Sequence, residues 1–200
     1  MFKPIMIAIA GIATVVIAGY SVTQPEAPSL RELRAATAKF QDVRVALAEG
    51  YVRDPHNICL TADMMGLPAA TGAMGIHFFR PDLLGIDATA PRVDGTGLHT
   101  DFTRPSVLIY APQPDGKLKL VAIENLVFEK ALRANRKEVP IFAGHRYNYM
   151  VDDPATVADE AHGFAPHYDL HIWLYEKNPA GDFASFNPAI KCPITTAQGH

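Results

Sequence analysis

The sequence predicts a single α+β domain in which an N-terminal amphipathic helix packs on an antiparallel sheet. Apolar residues recur every three or four positions in one early segment, and four later segments have strand-like patterns. Two of these strand-like segments flank a Pro-Asp-Gly turn, which favours a hairpin. The sequence does not decide whether the sheet closes on itself, so the expectation includes a curved or barrel-like sheet.

Length, composition and charge support a compact domain. The chain has 200 residues, of which 48% are hydrophobic, and its formal net charge is −3. These values exclude a disordered tail, a collagen-like repeat and a multi-span membrane protein. Nucleic acid is not expected as a partner, because no Lys- and Arg-rich run offers counterion release along a phosphate backbone.

Residues 1–23 predict an export signal. Lys3 precedes residues 5–18, a stretch without charged residues that has the length of a secretory signal and is shorter than a bilayer span. No clean A-x-A cleavage triplet follows, so an uncleaved N-terminal anchor is the alternative and the one expected route of membrane contact. Residues 24–28 are then a tether, and residues 29–200 a globular domain in the periplasm or outside the cell.

The chain has two cysteines, Cys59 and Cys192. Export to an oxidising compartment predicts that they form a disulfide, which would tie the early part of the domain to its last segment. Two free buried thiols, which behave as small hydrophobic side chains, are the alternative.

The N-terminal helix is predicted over residues 30–49. Ser29 and Glu32 fit a capping box, and Gly50 stands where a glycine commonly ends a helix. The apolar stripe comprises Leu33, Ala36, Phe40, Val43 and Leu47. Strands are predicted at residues 73–80, 106–111, 117–128 and 167–175. A helical turn is expected at 59–65, a long surface loop at 85–104, and a short surface helix at 152–163.

One carboxylate interrupts an apolar strand face. The even positions of residues 117–128 are apolar except for Glu124, whereas the odd positions include Lys117, Lys119 and Asn125. The odd positions are therefore expected to face solvent. A carboxylate on the apolar face must be ion-paired, protonated or bound to a metal, because an isolated buried charge is very costly.

Two histidines on other predicted strands complete a candidate metal site with Glu124. His77 and His171 each lie in the middle of a strand, and together the three residues form a 2-His-1-carboxylate set. Such a set suits Zn, Fe, Mn or Cu as a divalent ion and leaves positions for water or substrate. Asp169 is a candidate fourth ligand or a partner that orients an imidazole. His167 lies about 13 Å along the strand from His171, too far to share the ion unless the chain bends.

Two metal-free interpretations compete with this site. Glu124 could pair with Arg80, Arg104 or Arg146 in a structural cluster, or the same groups could form a metal-free acid/base site. Four aromatic residues are expected to line a small-molecule pocket beside it: Phe79, Tyr110, Trp173 and Tyr175. The functional hypothesis is thus a metal-binding domain facing a small-molecule ligand. A metal-free ligand-binding module or an envelope interaction protein is the alternative, and catalysis and oligomeric state stay open.

Several motifs occur together in the chain. They are Met-Gly-Ile-His-Phe at 74–78, Leu-His-Ile-Trp at 170–173, Asn-Pro-Ala-Gly at 178–181 and Asn-Pro…Cys at 187–192. In this combination the sequence resembles a group of small, largely uncharacterised secreted bacterial proteins. The resemblance covers residues 30–192 and implies a secreted single domain without indicating an activity. It also includes His77, Glu124 and His171.

Overall fold

The structure is a computed structural model that describes residues 26–55 and 58–192. The predicted export signal, the start of the tether, His56 and His200 lie outside the described residues. Within the described part of the chain, no helix combines the length and the apolar character that a bilayer crossing requires.

Short helices and eleven strands make up the described chain. The helices are α1 (Leu30–Thr37), α2 (Val43–Ala48), α3 (Pro81–Leu84) and α4 (Glu129–Ala134), with 3-10 turns at Ala38–Gln41, Ala62–Met65 and Ala69–Thr71. The strands are β1 (Val52–Arg53), β2 (Leu60–Thr61), β3 (Ala73–Phe79), β4 (Ile86–Ala88), β5 (Asp94–Gly95), β6 (Val107–Pro112), β7 (Leu118–Phe128), β8 (Ile141–Phe142), β9 (His145–Arg146), β10 (Asn148–Met150) and β11 (His167–Ile172).

The predicted α+β class is confirmed. The main sheet has the strand order β1-β3-β6-β7-β11-β10, and β2 pairs with β3 beside β1. Every pairing in it is antiparallel, and β6 and β7 form the predicted hairpin. No pairing among the described residues joins β1 to β10, so the sheet is open and the barrel-like form is not supported.

The N-terminal helix is broken rather than continuous. Its capping box at Ser29 and Glu32 is present, as predicted. However, Asp42 adopts an extended conformation, with φ −90° and ψ 107°, and its side chain caps α2 by accepting from the backbone N–H of Arg44. Because the break shifts the helical phase, Ala46 is buried and Leu47 is 50% exposed, which contradicts the predicted stripe.

The sheet is covered on both faces. One core packs under α1 and α2 and includes Leu33, Phe40, Tyr51, Ile76, Phe78, Leu108, Tyr110, Leu120, Ile123, Leu170 and Ile172. The other core lies on the opposite face and includes Phe79, Val107, Ile109, Val121, Ala122, Leu126, Phe128, Phe164 and Trp173. β7 is therefore buried on both sides from Leu120 onwards. The expectation that the odd positions face solvent is confirmed for Lys117 and Lys119 and is wrong from Val121 onwards.

A bulge in β7 changes which residues share a face. Ile109 pairs with Ala122 and Tyr110 with Leu120, so Val121 is an extra residue opposite β6. The bulge places Leu120 in the core under the helices and Ala122 in the opposite core. Even positions before and after the bulge therefore face opposite sides, and Glu124 lies on the face away from the helices.

Other local predictions need correction. Residues 152–163 contain turns and bends instead of the predicted surface helix. The predicted loop at 85–104 includes the two-stranded sheet of β4 and β5. The helical turn expected near residues 59–65 is present as the 3-10 turn Ala62–Met65. Helix α4 and the strands β8, β9 and β10 were not predicted from the sequence, because they are too short to show periodicity.

The predicted disulfide is present between Cys59 and Cys192. It joins the chain just before β2 to a C-terminal segment whose Asn187 pairs with Ala73 at the start of β3. The last segment of the domain is thus held against the central sheet by a covalent bond and by backbone hydrogen bonds.

Gly72 allows this close approach, and its replacement should destabilise the domain. A Cβ at Gly72, where φ is +97°, would lie 2.1 Å from the carbonyl oxygen of Asn187. We expect Gly72→Ala to lower the free energy of unfolding by about 2–3 kcal/mol, because backbone strain adds to the clash. Gly116→Ala is the control for strain alone, since its φ is +81° but no described atom lies within 4 Å. Equal losses in urea unfolding of the two variants would contradict the role given to the contact.

Candidate metal centre

Three strands of the main sheet bring the predicted site residues together on the face away from the helices. His171 in β11 is the direct partner of Glu124 in β7. His77 in β3 lies beyond β6, the strand between β3 and β7, and its side chain reaches across β6 to Glu124. Glu124 and His171 are fully buried, and His77 is 2% exposed.

The three side chains converge on one carboxylate oxygen. Glu124 Oε2 lies 3.3 Å from His77 Nε2 and 3.4 Å from His171 Nε2. One ligand atom from each residue fits within a mutual distance of 4.8 Å, and the rings of His77 and His171 are nearly perpendicular, at 80°. Two donors about 2.1 Å from an ion at the tetrahedral angle are about 3.4 Å apart. The observed spacings therefore match a metal coordination sphere.

A second group of buried ligand residues adjoins the first. His162, His167 and Asp169 also offer ligand atoms within 4.8 Å of one another, with His167 Nε2 at 3.9 Å from Asp169 Oδ2. The His162 ring stacks on that of His77, with centroids 5.5 Å apart. The structure thus places the predicted accessory residues Asp169 and His167 with His162, rather than with the first three residues.

His162 was not predicted as a site residue from the sequence. It lies in the irregular segment that had been predicted as a surface helix, yet it is only 5% exposed. No periodicity marks such a residue, and its single signal is indirect: it precedes Gly163 and the buried Phe164, which packs against His167 and Phe79.

Burial sets the protonation of the cluster. Burial lowers the pKa of His171 to about 4, and it also lowers the pKa of His167 to about 4. Both imidazoles are therefore neutral near pH 7 and have a nitrogen lone pair for a ligand. Burial raises the pKa of Glu124, but the nearby His171 and His77 lower it by more, which favours the carboxylate. Burial, followed by the charge of Glu124, raises the pKa of Asp169.

The ligand atoms have no hydrogen-bond partners among the described residues. These atoms include both ring nitrogens of His77 and His171 and both carboxylate oxygens of Glu124. An unpaired buried polar group costs about 1–3 kcal/mol, so three such side chains would offset much of the about 5–15 kcal/mol that stabilises a typical domain. A cation bound between them would satisfy these atoms.

The arginine pairing considered for Glu124 is not observed. Arg80 instead forms an ion pair with Asp82, with Nη2 and Oδ2 2.6 Å apart. Arg104 and Arg146 are exposed. Glu124 is the acidic partner of both His77 and His171. Among the described residues, no arginine forms an ion pair with Glu124.

Only half of the predicted aromatic pocket lies on the site's face. Phe79 and Trp173 belong to the core around the cluster, and the Trp173 ring stacks on His171 with centroids 6.5 Å apart. Tyr110 and Tyr175 lie on the opposite face, where their hydroxyls donate to the backbone of Phe40 and Arg34. Tyr110 alternates with Ile109 in β6, and Ile109 is the one that faces the cluster's core. β11 ends at Ile172, so strand alternation does not extend to Tyr175.

A small cavity borders the second group of ligand residues. It has a volume of about 90 Å³, and its lining includes Leu60, Met64, His162 and Gly163. Pockets for drug-sized ligands usually occupy about 300–1,000 Å³. The space beside the cluster therefore suits molecules of a few atoms.

The chain was also compared with known proteins. No family model, curated protein or solved structure matches it. Function is therefore inferred from the geometry of the buried cluster.

Proposed function

We propose that this domain binds a divalent transition-metal ion through His77, Glu124 and His171. The observation that carries the proposal is the spacing at Glu124 Oε2, which lies 3.3 Å and 3.4 Å from two buried imidazole nitrogens. Two imidazoles and one carboxylate suit Zn, Fe, Mn or Cu. The site would thus keep positions open for water or a small ligand.

The main alternative is a metal-free structural cluster, and the contacts disfavour it. Buried polar clusters that stabilise a fold are usually fully hydrogen-bonded. Here both oxygens of Glu124 lack hydrogen-bond partners among the described residues. A cation would pair with the carboxylate and with both imidazole nitrogens at the same point.

The residues around the ion would restrict what it can do. A bound ion would act as a Lewis acid or activate water or oxygen. His77, Glu124 and His171 would hold it, and Trp173 would exclude solvent on the side of His171. The cavity of about 90 Å³ that His162 lines is next to the cluster and has room for a molecule of a few atoms.

We further propose that the protein works in the periplasm or outside the cell. The Cys59–Cys192 disulfide indicates an oxidising, extracytoplasmic environment. The export signal predicted at residues 1–23 and the resemblance to small secreted bacterial proteins support the same location. A mature N-terminus near residue 23 would support secretion, whereas one at Met1 would favour the anchored envelope protein.

Cobalt(II) titration of the metal-free protein tests the proposed site. We expect visible d–d absorption that saturates with added ion, and His77→Ala should lose one bound equivalent. His145→Ala is the matched control, because His145 is exposed and stacks on Phe183 away from the cluster. If His77→Ala binds as many equivalents as the wild type does, the proposed ligand set is wrong.

A further inference from the structure

We infer that His162, His167 and Asp169 form a second metal-ion site, so that the buried cluster is a two-ion centre. The two-ion centre rests on the proposed function for its first ion, whereas the second triad is argued from its own contacts. The ligand class is again a divalent transition metal, because the triad also consists of two imidazoles and one carboxylate.

One ion cannot bind all six residues. His167 and His171 are four positions apart on β11, which corresponds to about 13 Å along a strand. Because side chains stand roughly perpendicular to a sheet, the two imidazoles stay too far apart to bind one ion through ligand bonds of about 2.0–2.2 Å. The register places Glu124 opposite His171 and Phe128 opposite His167, so the two ends of β11 serve different triads.

A contact outside the second triad orients His167 for ligation. The Nδ1–H of His167 donates to the carbonyl of Ala165 at 2.9 Å. This hydrogen bond leaves the lone pair on Nε2, which is buried and lacks a hydrogen-bond partner among the described residues. Metal-binding histidines commonly have their second ring nitrogen held in this way.

The other two members are equally unpartnered. Both oxygens of Asp169 and both ring nitrogens of His162 are buried without a hydrogen-bond partner in the described part of the chain. His162 also has a left-handed backbone, with φ 41°, a conformation that costs energy in a residue with a side chain. That backbone directs the His162 ring into the cluster, between His77 and His167.

The two triads are in direct contact. The rings of His162 and His77 stack with an interplanar angle of 14°. His162 also lines the cavity of about 90 Å³. Neighbouring ions allow a small molecule to be bound and polarised from two sides, so a water-sized or oxyanionic ligand that enters at His162 is the class of molecule such a centre would accept.

Metal stoichiometry tests the second site independently of the first. Metal-free full-length protein is titrated with cobalt(II), and bound ion is confirmed by elemental analysis. We expect two equivalents in the wild type, one in His162→Ala and one in Glu124→Gln. Asp169→Asn, which keeps the side-chain shape, repeats the test if His162→Ala does not fold, and His145→Ala should keep two equivalents.

The outcomes separate the two proposals. One equivalent in the wild type that is lost in Glu124→Gln and kept in both His162→Ala and Asp169→Asn overturns the second site and leaves the proposed function. One equivalent that is kept in Glu124→Gln and lost in Asp169→Asn overturns the proposed function instead. One equivalent that is lost in Glu124→Gln, His162→Ala and Asp169→Asn but kept in His145→Ala would show a single shared ion and would also overturn the second site.

Discussion

Glu124→Gln should remove the stability that an ion at His77, Glu124 and His171 provides, without unfolding the domain. Binding at a free ion concentration 100 times the dissociation constant stabilises a folded protein by about 2.7 kcal/mol. We expect the gain in unfolding free energy on adding zinc(II) to shrink by about this amount in the variant. In the metal-free state the variant should be at least as stable as the wild type. The wild type buries a carboxylate that lacks hydrogen-bond partners among the described residues, and the variant has an uncharged amide in its place.

The structural-cluster alternative predicts the opposite sign. If Glu124 only formed ion pairs with His77 and His171, removing its charge would break a buried pair and cost about 3–5 kcal/mol without metal. Urea unfolding with and without zinc(II) therefore distinguishes the two accounts. Glu138→Gln is the matched control, since it makes the same chemical change at an exposed position and should change neither value.

Replacing both cysteines with serine should have the largest effect on stability. The Cys59–Cys192 bond spans a sequence separation of 133 residues. In the chain-entropy account, a crosslink of that span stabilises the folded state by about 5 kcal/mol. We expect the double variant to lose most of that amount in chemical denaturation, because its unfolded chain is no longer crosslinked.

Wild-type protein treated with dithiothreitol is the matched comparison for the double variant. The reduced wild type and the Cys59→Ser/Cys192→Ser variant should unfold at the same denaturant concentration, well below that of the oxidised protein. If the three midpoints coincide, the disulfide does not provide the stability assigned to it. Metal binding below the unfolding transition should be retained, since neither cysteine belongs to the ligand triads.

Patterning alone predicted much of the fold. The four main strands differ from their predicted bounds by only a few residues, because each is a run of alternating or continuous apolar residues. The capping box at Ser29 and the pairing of Cys59 with Cys192 were also accessible from local chemistry and compartment. The break at Asp42 was not, since the apolar spacing continues past it.

The candidate site was partly predictable for a physical reason. A carboxylate among apolar residues, as at Glu124, needs a partner, and histidines in the middle of strands are natural partners. Which strands lie next to each other decides whether those side chains meet, and the sequence contains no direct record of strand order. The bulge at Val121 was also not predictable. Strict alternation places Leu120 and Glu124 on the same face of β7, whereas the bulge puts them on opposite faces.

His162 shows the limit of reasoning from periodicity. Its position results from tertiary packing of an irregular segment around Phe164, and no local pattern encodes that packing. Tyr110 was assigned to the wrong face for a related reason. Alternation shows which residues of one strand share a face, but it does not show which of those faces matches a given face of another strand. Residues brought in by loops therefore require the three-dimensional structure.

Elemental analysis by mass spectrometry tests the central claim most directly. Untagged protein should be purified from the periplasm without chelator, because an added histidine tag would contribute ligands of its own. The account predicts at least one near-stoichiometric equivalent of zinc, iron, manganese or copper per chain. Protein that is metal-free as purified and takes up none of these ions when they are added back would contradict the metal site at His77, Glu124 and His171.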